Sequence, residues 1–527
     1  MPTLHWIGKD KVINHHQDVP FRLLDHQYGA LADGSQTAEP AGSGNRIIHG
    51  DNLEALKALL PEYEGRVKCI YIDPPYNTGN EGWVYNDNVN DPKIKKWLSQ
   101  VVGKEGEDLS RHDKWLCMMY PRLKLLHKLL AEDGIIFISI DDNEISYLRI
   151  VMDEIFGRAQ FVTEFIWKSR VSEDARAVTG VSNDHEYILT YRKTDLVKLR
   201  GVEKDLTKFS NPDNDPRGPW RSADVTGLAT KEQRPNLHYD LVNPVTGDVY
   251  PAPYKGWRFD KNTMAKRVSE GRILFPSSPD GRPRQKVFSD EMASQYKAIS
   301  SVITSTSTAE GTKVISSILG QGAFDFPKPV ALPEMLIGQV TDPEDPDCIV
   351  LDSFAGSGTT AHAVLKLNQQ DGGNRRFILT EMEDYAETIT AERVKRVMQG
   401  YAGQPGTGGS FDYYTLGAAV FTETGELNEQ AGLPGLRQYI YYAETKQPLP
   451  ASSADDNAAF LALHDDTAYY FHYAPDEVTT LSHDFLATMR TRAGQYIIYA
   501  DNCLLTPEFM TQHGIIFKKI PRDISRF

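Results

Sequence analysis

Short continuous apolar runs alternate with longer segments of helical spacing along the first part of the chain. The runs at 67–72 (VKCIYI) and 134–140 (GIIFISI) have the length and composition of buried strands. The segments at 52–60 and 115–130 carry apolar residues every three or four positions, which indicates amphipathic helices. Alternating strands and helices are typical of a parallel sheet covered on both faces. The pattern therefore predicts an α/β protein with a doubly wound, mostly parallel sheet.

This alternation stops near residue 195 and resumes near residue 321. The interval between them is irregular and carries many Pro, Gly, Trp and Arg residues, so we expect an inserted domain of different design. Gly-rich polar stretches predict linkers, and the Tyr-rich runs LRQYIYYA and GQYIIYA near the end resemble strands. The predicted domains are an N-terminal arm and linker (1–45), two halves of the α/β domain (46–194 and 321–399), the insert (195–320), a linker (400–410) and a small C-terminal α+β domain (411–527).

The charge of the chain is acidic overall but uneven. Its 57 Lys and Arg against 72 Asp and Glu give a net charge of −15, which argues against coating of a polyanion over the whole surface. Residues 191–290 hold 19 basic and 13 acidic residues, a net +6, whereas 401–527 hold 8 and 15, a net −7. A local basic surface in the insert is therefore compatible with the acidic total.

Cysteine spacing and hydropathy indicate the compartment. The four cysteines form no C-x-x-C pair, so neither a disulfide framework nor a cysteine zinc site is indicated. No apolar run approaches the roughly 20 residues that a membrane span needs. These features predict a cytoplasmic protein with no membrane segment, and we expect no metal.

The first loop with chemical potential follows the buried strand at 67–72 and reads Asp73-Pro74-Pro75-Tyr76. An exocyclic amine on a base is a poor nucleophile until two acceptors hold its hydrogens. The Asp73 carboxylate supplies one acceptor and the Pro74 carbonyl the other, since proline fixes φ and leaves few alternatives. Tyr76 offers an aromatic face on which an extruded base can stack. The tetrapeptide therefore predicts a catalytic loop acting on an amine-bearing base.

The second loop, 351–360 (LDSFAGSGTT), also follows a buried strand and opens a helix. It lacks the Gly-Lys-Ser/Thr of a phosphate-binding P-loop. Glu381 ends the next strand, where a carboxylate can bind ribose hydroxyls. The pair indicates a nucleoside cofactor, and S-adenosylmethionine fits because methyl transfer needs mainly in-line placement of two reactants at about 3 Å.

The motifs DPPYNTG at 73–79, FAGSGTT at 354–360 and GIIFISIDDNE at 134–144 resemble the β-group of amino-DNA methyltransferases, and HGDNLEAL at 49–56 is similar to the modification (Mod) subunits of type III restriction-modification systems. The resemblance covers about 45–400. It implies a Rossmann-like methyltransferase sheet with circularly permuted motif order, in which the insert is a target-recognition domain.

Position by position, the resemblance implies two sets of site residues. The catalytic set is Asp73, Pro74, Pro75 and Tyr76. The set for S-adenosylmethionine is Asp51 near the adenine, Lys328 near the carboxylate, Glu381 at the ribose, and Asp352, Phe354, Gly356, Gly358 and Thr359 in the glycine loop. Ser353 departs from the family's usual Asp-Pro-Phe without removing a cofactor group. In the insert, aromatic and basic side chains interleave as DNA contacts would, at Trp220, Arg221, Arg234, Trp257 and Arg258.

The resulting hypothesis is a site-specific adenine-N6 methyltransferase that acts on duplex DNA by base flipping. Asp73 favours adenine, because the family's N4-cytosine members more often carry Ser there. N4-cytosine methylation and a catalytically silent DNA-recognition subunit for a partner nuclease are the alternatives. The resemblance also implies a Res-type restriction subunit as partner and a homodimer.

Overall fold

The computed structural model describes residues 3–78, 111–175, 177, 179–278, 281–291, 296–422, 424–450 and 456–525. The chain divides into two compact units. The first, which contains a large sheet, comprises Met1–Leu199 and Ser300–Phe527. The second is the intervening sequence Arg200–Ile299.

Strands occur throughout both units. In chain order they are β1 (Arg22–Leu31), β2 (Gln36–Thr37), β3 (Arg46–His49), β4 (Val67–Ile72), β5 (Leu130–Ile140), β6 (Phe161–Lys168), β7 (His185–Arg192), β8 (Val202–Glu203), β9 (Trp220–Asp224), β10 (Leu241–Val242), β11 (Val249–Tyr250), β12 (Ile273–Leu274), β13 (Arg284–Phe288), β14 (Tyr296–Lys297), β15 (Val302–Ile303), β16 (Ile349–Asp352), β17 (Arg376–Glu381), β18 (Gly400–Tyr401), β19 (Gln404–Pro405), β20 (Ser410–Ala419), β21 (Phe460–His464), β22 (Thr467–Phe471), β23 (Thr480–Leu481), β24 (Gln495–Ala500), β25 (Asn502–Cys503) and β26 (Ile515–Lys519).

Helices connect many of these strands. In chain order they are α1 (Lys9–Val12), α2 (His15–Asp18), α3 (Asn52–Tyr63), α4 (Arg111–Leu129), α5 (Ile145–Met152), α6 (Lys261–Ser269), α7 (Thr308–Leu319), α8 (Ala331–Gly338), α9 (Thr359–Asp371), α10 (Glu392–Gln399), α11 (Gly432–Thr445), α12 (His483–Thr488) and α13 (Pro507–Gln512). None of the described helices combines the length and apolar character that crossing a bilayer requires.

The large sheet has the order β15-β6-β7-β5-β4-β16-β17-β3-β20-β1-β2. Its six central strands, β5 to β20 in that order, pair in parallel, and antiparallel pairs flank them. The connection from β4 leads to one side and the connection from β16 to the other, although β4 and β16 are neighbours. Such a reversal opens a crevice at the carboxyl ends of the two strands. The doubly wound, mostly parallel fold predicted from the sequence is therefore confirmed.

The register of the two central strands brings their following loops together. Cys69 pairs with Val350 and Ile70 with Leu351, so the continuation places Asp73 level with Phe354. All four residues of β16 and most of β4 are buried, because helices cover both faces. The two loops predicted from the sequence therefore lie at one edge of the sheet.

The domain boundaries differ from those predicted at both ends of the chain. The segment 1–45 is more than an arm, because its β1 pairs with β20 along almost its whole length. Residues 400–410 do not separate two domains, since β20 joins the large sheet beside β3. The run LRQYIYYA is helical within α11, where Leu436, Tyr439 and Ile440 are buried at helical spacing.

The C-terminal part has its own four-stranded sheet, in the order β21-β22-β24-β26. Helix α11 packs between this sheet and the large core: Tyr439 and Ile440 lie in the C-terminal apolar cluster, and Tyr442 lies in the main one. The acidic C-terminal segment is therefore joined to the rest of the first unit by buried side chains.

The second unit is shorter than the predicted insert of 195–320. Residues after 299 belong to the first unit, because β15 pairs with β6 and the last turn of α7 accepts a hydrogen bond from Arg396 at the Ile318 carbonyl (2.6 Å). The core of the second unit consists of Val225, Leu241, Tyr250, Trp257, Met264 and Ile273.

The five candidate DNA-contact residues of the insert divide by environment. Trp257 is 2% exposed and its indole N–H donates to the Tyr239 carbonyl, so it is a core residue. A small unit without many large apolar side chains needs that indole for its core. The arginines at 221, 234 and 258 are exposed, whereas Trp220 is half-buried and its indole N–H donates to Asp213.

Candidate functional site

A cavity of about 710 Å³ lies at the crevice between β4 and β16. Both loops singled out in the sequence line it, together with a segment that precedes α8. Its lining includes Tyr71, Asp73, Pro74, Tyr76, Thr78, Ser169, Arg170, Glu186, Thr308, Phe324, Asp325, Phe326, Pro327, Lys328, Asp352, Phe354, Ala355, Gly356, Ser357, Thr359 and Thr360. The site thus combines groups from widely separated parts of the chain.

Asp73 directly follows β4, and one of its two carboxylate oxygens is engaged by Lys328. Its Oδ2 is 2.9 Å from Nζ of Lys328, which is also 3.4 Å from Oε2 of Glu186. Its Oδ1 is buried and has no hydrogen-bond partner within the described ranges. Burial raises the pKa of Asp73, and the Lys328 ammonium opposes that rise. Asp73 therefore holds one buried carboxylate oxygen whose hydrogen-bonding capacity is unused among the described residues.

The remainder of the first loop is fixed by α4. The indole N–H of Trp115, which is fully buried, donates to the Pro75 carbonyl at 2.6 Å. Asn77 adopts a positive φ of 58°, and its amide donates to Glu144 and to the Arg111 carbonyl. The Pro75 carbonyl is therefore already engaged, which leaves the Pro74 carbonyl as the loop's acceptor candidate.

Contacts with neighbouring side chains fix both the ring and the hydroxyl of Tyr76. The hydroxyl donates to Oε2 of Glu186 at 2.8 Å, and the Lys328 ammonium lies 4.7 Å from the ring centroid. A cation at this distance is attracted to the ring face. The aromatic wall of the cavity is thus held by the same two residues that surround Asp73.

The second loop depends on backbone conformations that favour glycine. Gly356 and Gly358 have φ values of +51° and +79°. A Cβ on Gly358 would also lie 3.2 Å from the Thr390 carbonyl oxygen. The loop therefore turns tightly into the start of α9 and presents its backbone to the cavity.

A buried arginine makes hydrogen bonds to the second loop. Arg393 is fully enclosed, and its guanidinium donates to the Ser357 carbonyl (3.2 Å), the Ser357 hydroxyl (2.7 Å) and the Thr359 hydroxyl (2.8 Å). Burial lowers the pKa of Arg393 to about 10. The Arg393 guanidinium nevertheless stays charged at neutral pH, so a positive charge contacts the second loop.

Residues 67–392 match the family model described as DNA methylase (N6_N4_Mtase), which covers more than half of the chain. The chain belongs to this DNA methylase family. It is similar to the Mod subunit of the type III restriction-modification enzyme StyLTI of Salmonella typhimurium, with 37% identity over 72% of this chain and 58% of the relative. It is also similar to the EcoP15I Mod subunit of Escherichia coli, with 30% identity over 72% and 64%. The chain thus spans less than two thirds of the length of either Mod subunit.

Other similarities are to a type II enzyme and to solved structures. The type II methyltransferase M.KpnI of Klebsiella pneumoniae is 34% identical over 70% of this chain and 89% of the relative. The PvuII cytosine-N4-specific DNA methyltransferase structure is 15% identical, covers 66% of this chain and 86% of its own, and has a TM-score of 0.33. A putative DNA modification methylase from Thermus thermophilus in complex with S-adenosyl-L-methionine is 15% identical over 70% and 99%, with a TM-score of 0.32.

In this DNA methylase, most of the residues proposed from the sequence line one cavity, but four do not. Asp51 caps α3 by accepting from the Leu53 and Glu54 amides. Glu381 is buried and accepts from the Gly356 and Glu383 amides. Pro75 and Gly358 belong to the two loops but lie outside the lining.

Two of the buried acids at the second loop carry raised pKa values. Burial raises the pKa of Asp352 to about 7, although its carboxylate accepts from the Phe354 amide and the Thr360 hydroxyl. Burial likewise raises the pKa of Glu381 to about 7. Both groups titrate near neutrality, so the charge around the second loop depends on pH in the physiological range.

Three residues that support the loops were missed from the sequence. Glu186 lies in β7, Trp115 in α4 and Arg393 in α10. The available signal for Arg393 was its place on the apolar face of a helix, beside Val394 and Val397. Nothing in the local sequence of Trp115 distinguishes it from an ordinary core residue.

Proposed function

We propose that this DNA methylase transfers a methyl group from S-adenosylmethionine to N6 of adenine in duplex DNA after the base is flipped into the cavity. The single observation that carries the proposal is that Asp73, whose buried Oδ1 has no hydrogen-bond partner among the described residues, lies with Pro74 and Tyr76 in the lining of one cavity. These are the two acceptors and the stacking face that activation of an exocyclic amine requires.

The cavity fits such a cofactor at its second loop. Gly356 has a positive φ of +51° and no side chain, so its backbone is left uncovered on the side that faces the Phe324 ring, which an added Cβ would contact at 3.4 Å. We propose that Phe354, Gly356 and Thr359 hold the cofactor, and that Asp51 and Glu381 bind its adenosine after local adjustment. When bound, the group supplies a methyl made electrophilic by its sulfonium.

The chain's own groups prepare the amine. Asp73 Oδ1 accepts one amine hydrogen and the Pro74 carbonyl accepts the other, which draws the nitrogen lone pair out of conjugation. The raised pKa of Asp73 makes it a better proton acceptor than an ordinary aspartate. Tyr76 stacks on the base, and its hydroxyl bond to Glu186 keeps the ring in place.

The Mod relatives suggest the setting of this reaction. We propose that the protein is the modification subunit of a type III-like system, that it forms a homodimer, and that it is accompanied by a Res-type restriction subunit. The exposed arginines and net charge of the insert support a role for Arg200–Ile299 in DNA recognition. Light scattering of the purified protein measures its oligomeric state, and a monomer would contradict the dimer.

The activity is tested with radiolabelled cofactor and mixed duplex DNA, followed by nucleoside analysis. We expect label in N6-methyladenine, and complete loss of label in Asp73→Ala with the cofactor still bound. Label on cytosine would replace the proposal by N4-cytosine methylation. DNA retention without transfer would instead indicate a catalytically silent recognition subunit.

A further inference from the structure

Three charged side chains from distant parts of the chain meet at the base of the cavity. Lys328, from the segment before α8, lies between Asp73 at the end of β4 and Glu186 on β7, at 2.9 Å and 3.4 Å. The Lys328 side chain is 11% exposed, Glu186 19% and Asp73 26%. The three therefore form a partly enclosed cluster with two negative charges and one positive charge.

The cluster gives the two oxygens of Asp73 different roles. Lys328 engages Oδ2, whereas the buried Oδ1 has no hydrogen-bond partner in the described part of the chain. Glu186 in turn holds Lys328 and accepts the Tyr76 hydroxyl through the same oxygen, Oε2. The direction of Oδ1 and the plane of the Tyr76 ring thus depend on one glutamate that touches neither reacting atom.

We propose that Glu186 is a positioning residue for methyl transfer, which holds Lys328 and Tyr76 around Asp73 and sets the net charge of the cluster to −1 to match a cationic transfer centre. The inference rests on the proposed function. It assigns Lys328 to Asp73 rather than to a carboxylate of the cofactor.

The charge argument follows from the balance of the reaction. The nitrogen lone pair forms the new N–C bond, the C–S bonding pair stays with sulfur, and the amine proton passes to Asp73 Oδ1 and then to water. One positive charge is therefore present near Asp73 from the start of the transfer until the proton leaves. A net charge of −1 stabilises it, whereas a neutral cluster would not.

Lys328 and Glu186 act in opposite directions on the titration of Asp73. The charged or titratable groups that face its carboxylate within the described ranges are Lys328, Glu186, Tyr76, Tyr71 and Asp352. Lys328 lowers the pKa of Asp73 and Glu186 raises it. Removing the first charge should shift the acidic limb of the activity profile to higher pH, and removing the second should shift it to lower pH.

A binding experiment tests the charge of the cluster without turnover. The probes are S-adenosylhomocysteine, which is neutral at sulfur, and sinefungin, which carries an ammonium there. In calorimetric titrations we expect Glu186→Gln to weaken sinefungin about tenfold relative to S-adenosylhomocysteine, the order expected for one partly buried unit charge. Lys328→Met should strengthen sinefungin relative to S-adenosylhomocysteine. Glu164→Gln, which removes a charge on the adjoining strand β6 outside the cavity lining, should leave the ratio unchanged.

Two outcomes would overturn the inference. If Lys328→Met weakens both probes equally, Lys328 binds the carboxylate that both share. If Glu186→Gln leaves the ratio of the two affinities at the wild-type value, Glu186 does not set the charge at the transfer centre. If Glu186→Gln does not fold, the ratio of the sinefungin and S-adenosylhomocysteine affinities in Lys328→Met tests the charge argument by itself.

A kinetic experiment tests the positioning role. Single-turnover methylation across pH should show the two opposite shifts of the acidic limb, with the rate of Glu186→Gln reduced about tenfold or more at its optimum. A loss of rate with the wild-type pH profile in both variants would mean a merely structural role. If the wild-type protein methylates no DNA at all, the proposed function fails and the positioning role with it, while the binding ratios still report whether Glu186 and Lys328 set the charge of the cluster.

Discussion

Asp352 makes the stability of the first unit depend on pH in a direction opposite to that of an ordinary aspartate. It is 3% exposed at the end of β16 and accepts hydrogen bonds from the Phe354 amide (3.0 Å) and the Thr360 hydroxyl (2.5 Å). Burial, with a smaller contribution from Asp73, outweighs these bonds and raises its pKa from 3.8 to about 7. The folded protein therefore retains a proton that the unfolded chain releases.

The sign and size follow from proton linkage. An acid with a raised folded-state pKa stabilises the fold fully below its unfolded pKa, near 4, and that stability is lost as pH rises through about 7. Between pH 5 and pH 8 the loss is about 3 kcal/mol, from roughly two pKa units at about 1.4 kcal/mol each. Glu381, whose pKa is also about 7, adds a loss of the same sign.

Asp352→Asn removes one of these two titrations and keeps a side chain that can accept from the Phe354 amide. Urea unfolding at pH 5, 6, 7 and 8, followed by fluorescence of the buried Trp115 and Trp167, measures the transition of the first unit. We expect the pH dependence of the unfolding free energy to be weaker by about 3 kcal/mol over this range in Asp352→Asn than in wild type. The exposed control Asp476→Asn should keep the wild-type dependence. Equal pH dependence in wild type and Asp352→Asn would refute the reasoning.

Three further substitutions test the supports of the two loops. Trp115→Phe leaves the Pro75 carbonyl without its donor, so we expect a loss of about 1–3 kcal/mol in urea unfolding and slower methylation. Arg393→Gln removes the charge beneath the glycine loop, so cofactor Kd should rise about tenfold while kcat at saturation changes little, which titration and steady-state kinetics distinguish. Gly358→Ala should lower the free energy of unfolding by about 1–2 kcal/mol because of its φ of +79°, and by more because an added Cβ contacts Thr390. Gly372 has a similar φ of +71° but open space around it, so Gly372→Ala should show the conformational cost alone. Thermal unfolding measures both.

The central sheet and the meeting of the two loops could be predicted because both depend on local signals. Apolar strands, amphipathic helices and abrupt polar strand ends determine which segments enter a parallel sheet and which edge their loops share. Asp73 and Phe354 are level at that edge for this reason. Their neighbours along the chain therefore line the cavity as expected.

The cluster around Asp73 could not be predicted, because it depends on convergence rather than on local pattern. The family resemblance implies a cofactor contact for Lys328, yet the distance from Lys328 to Asp73 is set by how the segment before α8 crosses the sheet edge. Glu186 enters from an antiparallel strand whose register with β5 no sequence period specifies. Long-range packing, rather than the spacing of residues along the sequence, determines which partners a charged side chain contacts.

The domain boundaries at the two ends could not be predicted for a related reason. A Gly-rich stretch predicts a flexible connection, but it does not reveal whether the strand after it returns to the earlier sheet. Strand β20 does return, and it pairs with β3 in parallel and with β1 antiparallel. The tyrosines of α11 suggest a strand because of their β-propensity, while their spacing of three and four is the stronger signal.

The net charge of −15 is compatible with a DNA substrate because charge is divided by location. Phosphates require basic surface, and the insert supplies a net +6 over 191–290 with arginines exposed. In the proposed reaction the cavity has the opposite requirement, since a neutral heterocycle and a cationic methyl donor would enter it while the phosphodiester chain stays outside. Asp73 and Glu186, only partly neutralised by Lys328, would then repel phosphate and stabilise the cation. Negative charge at the cavity is thus a requirement of the proposed chemistry rather than an obstacle to DNA binding.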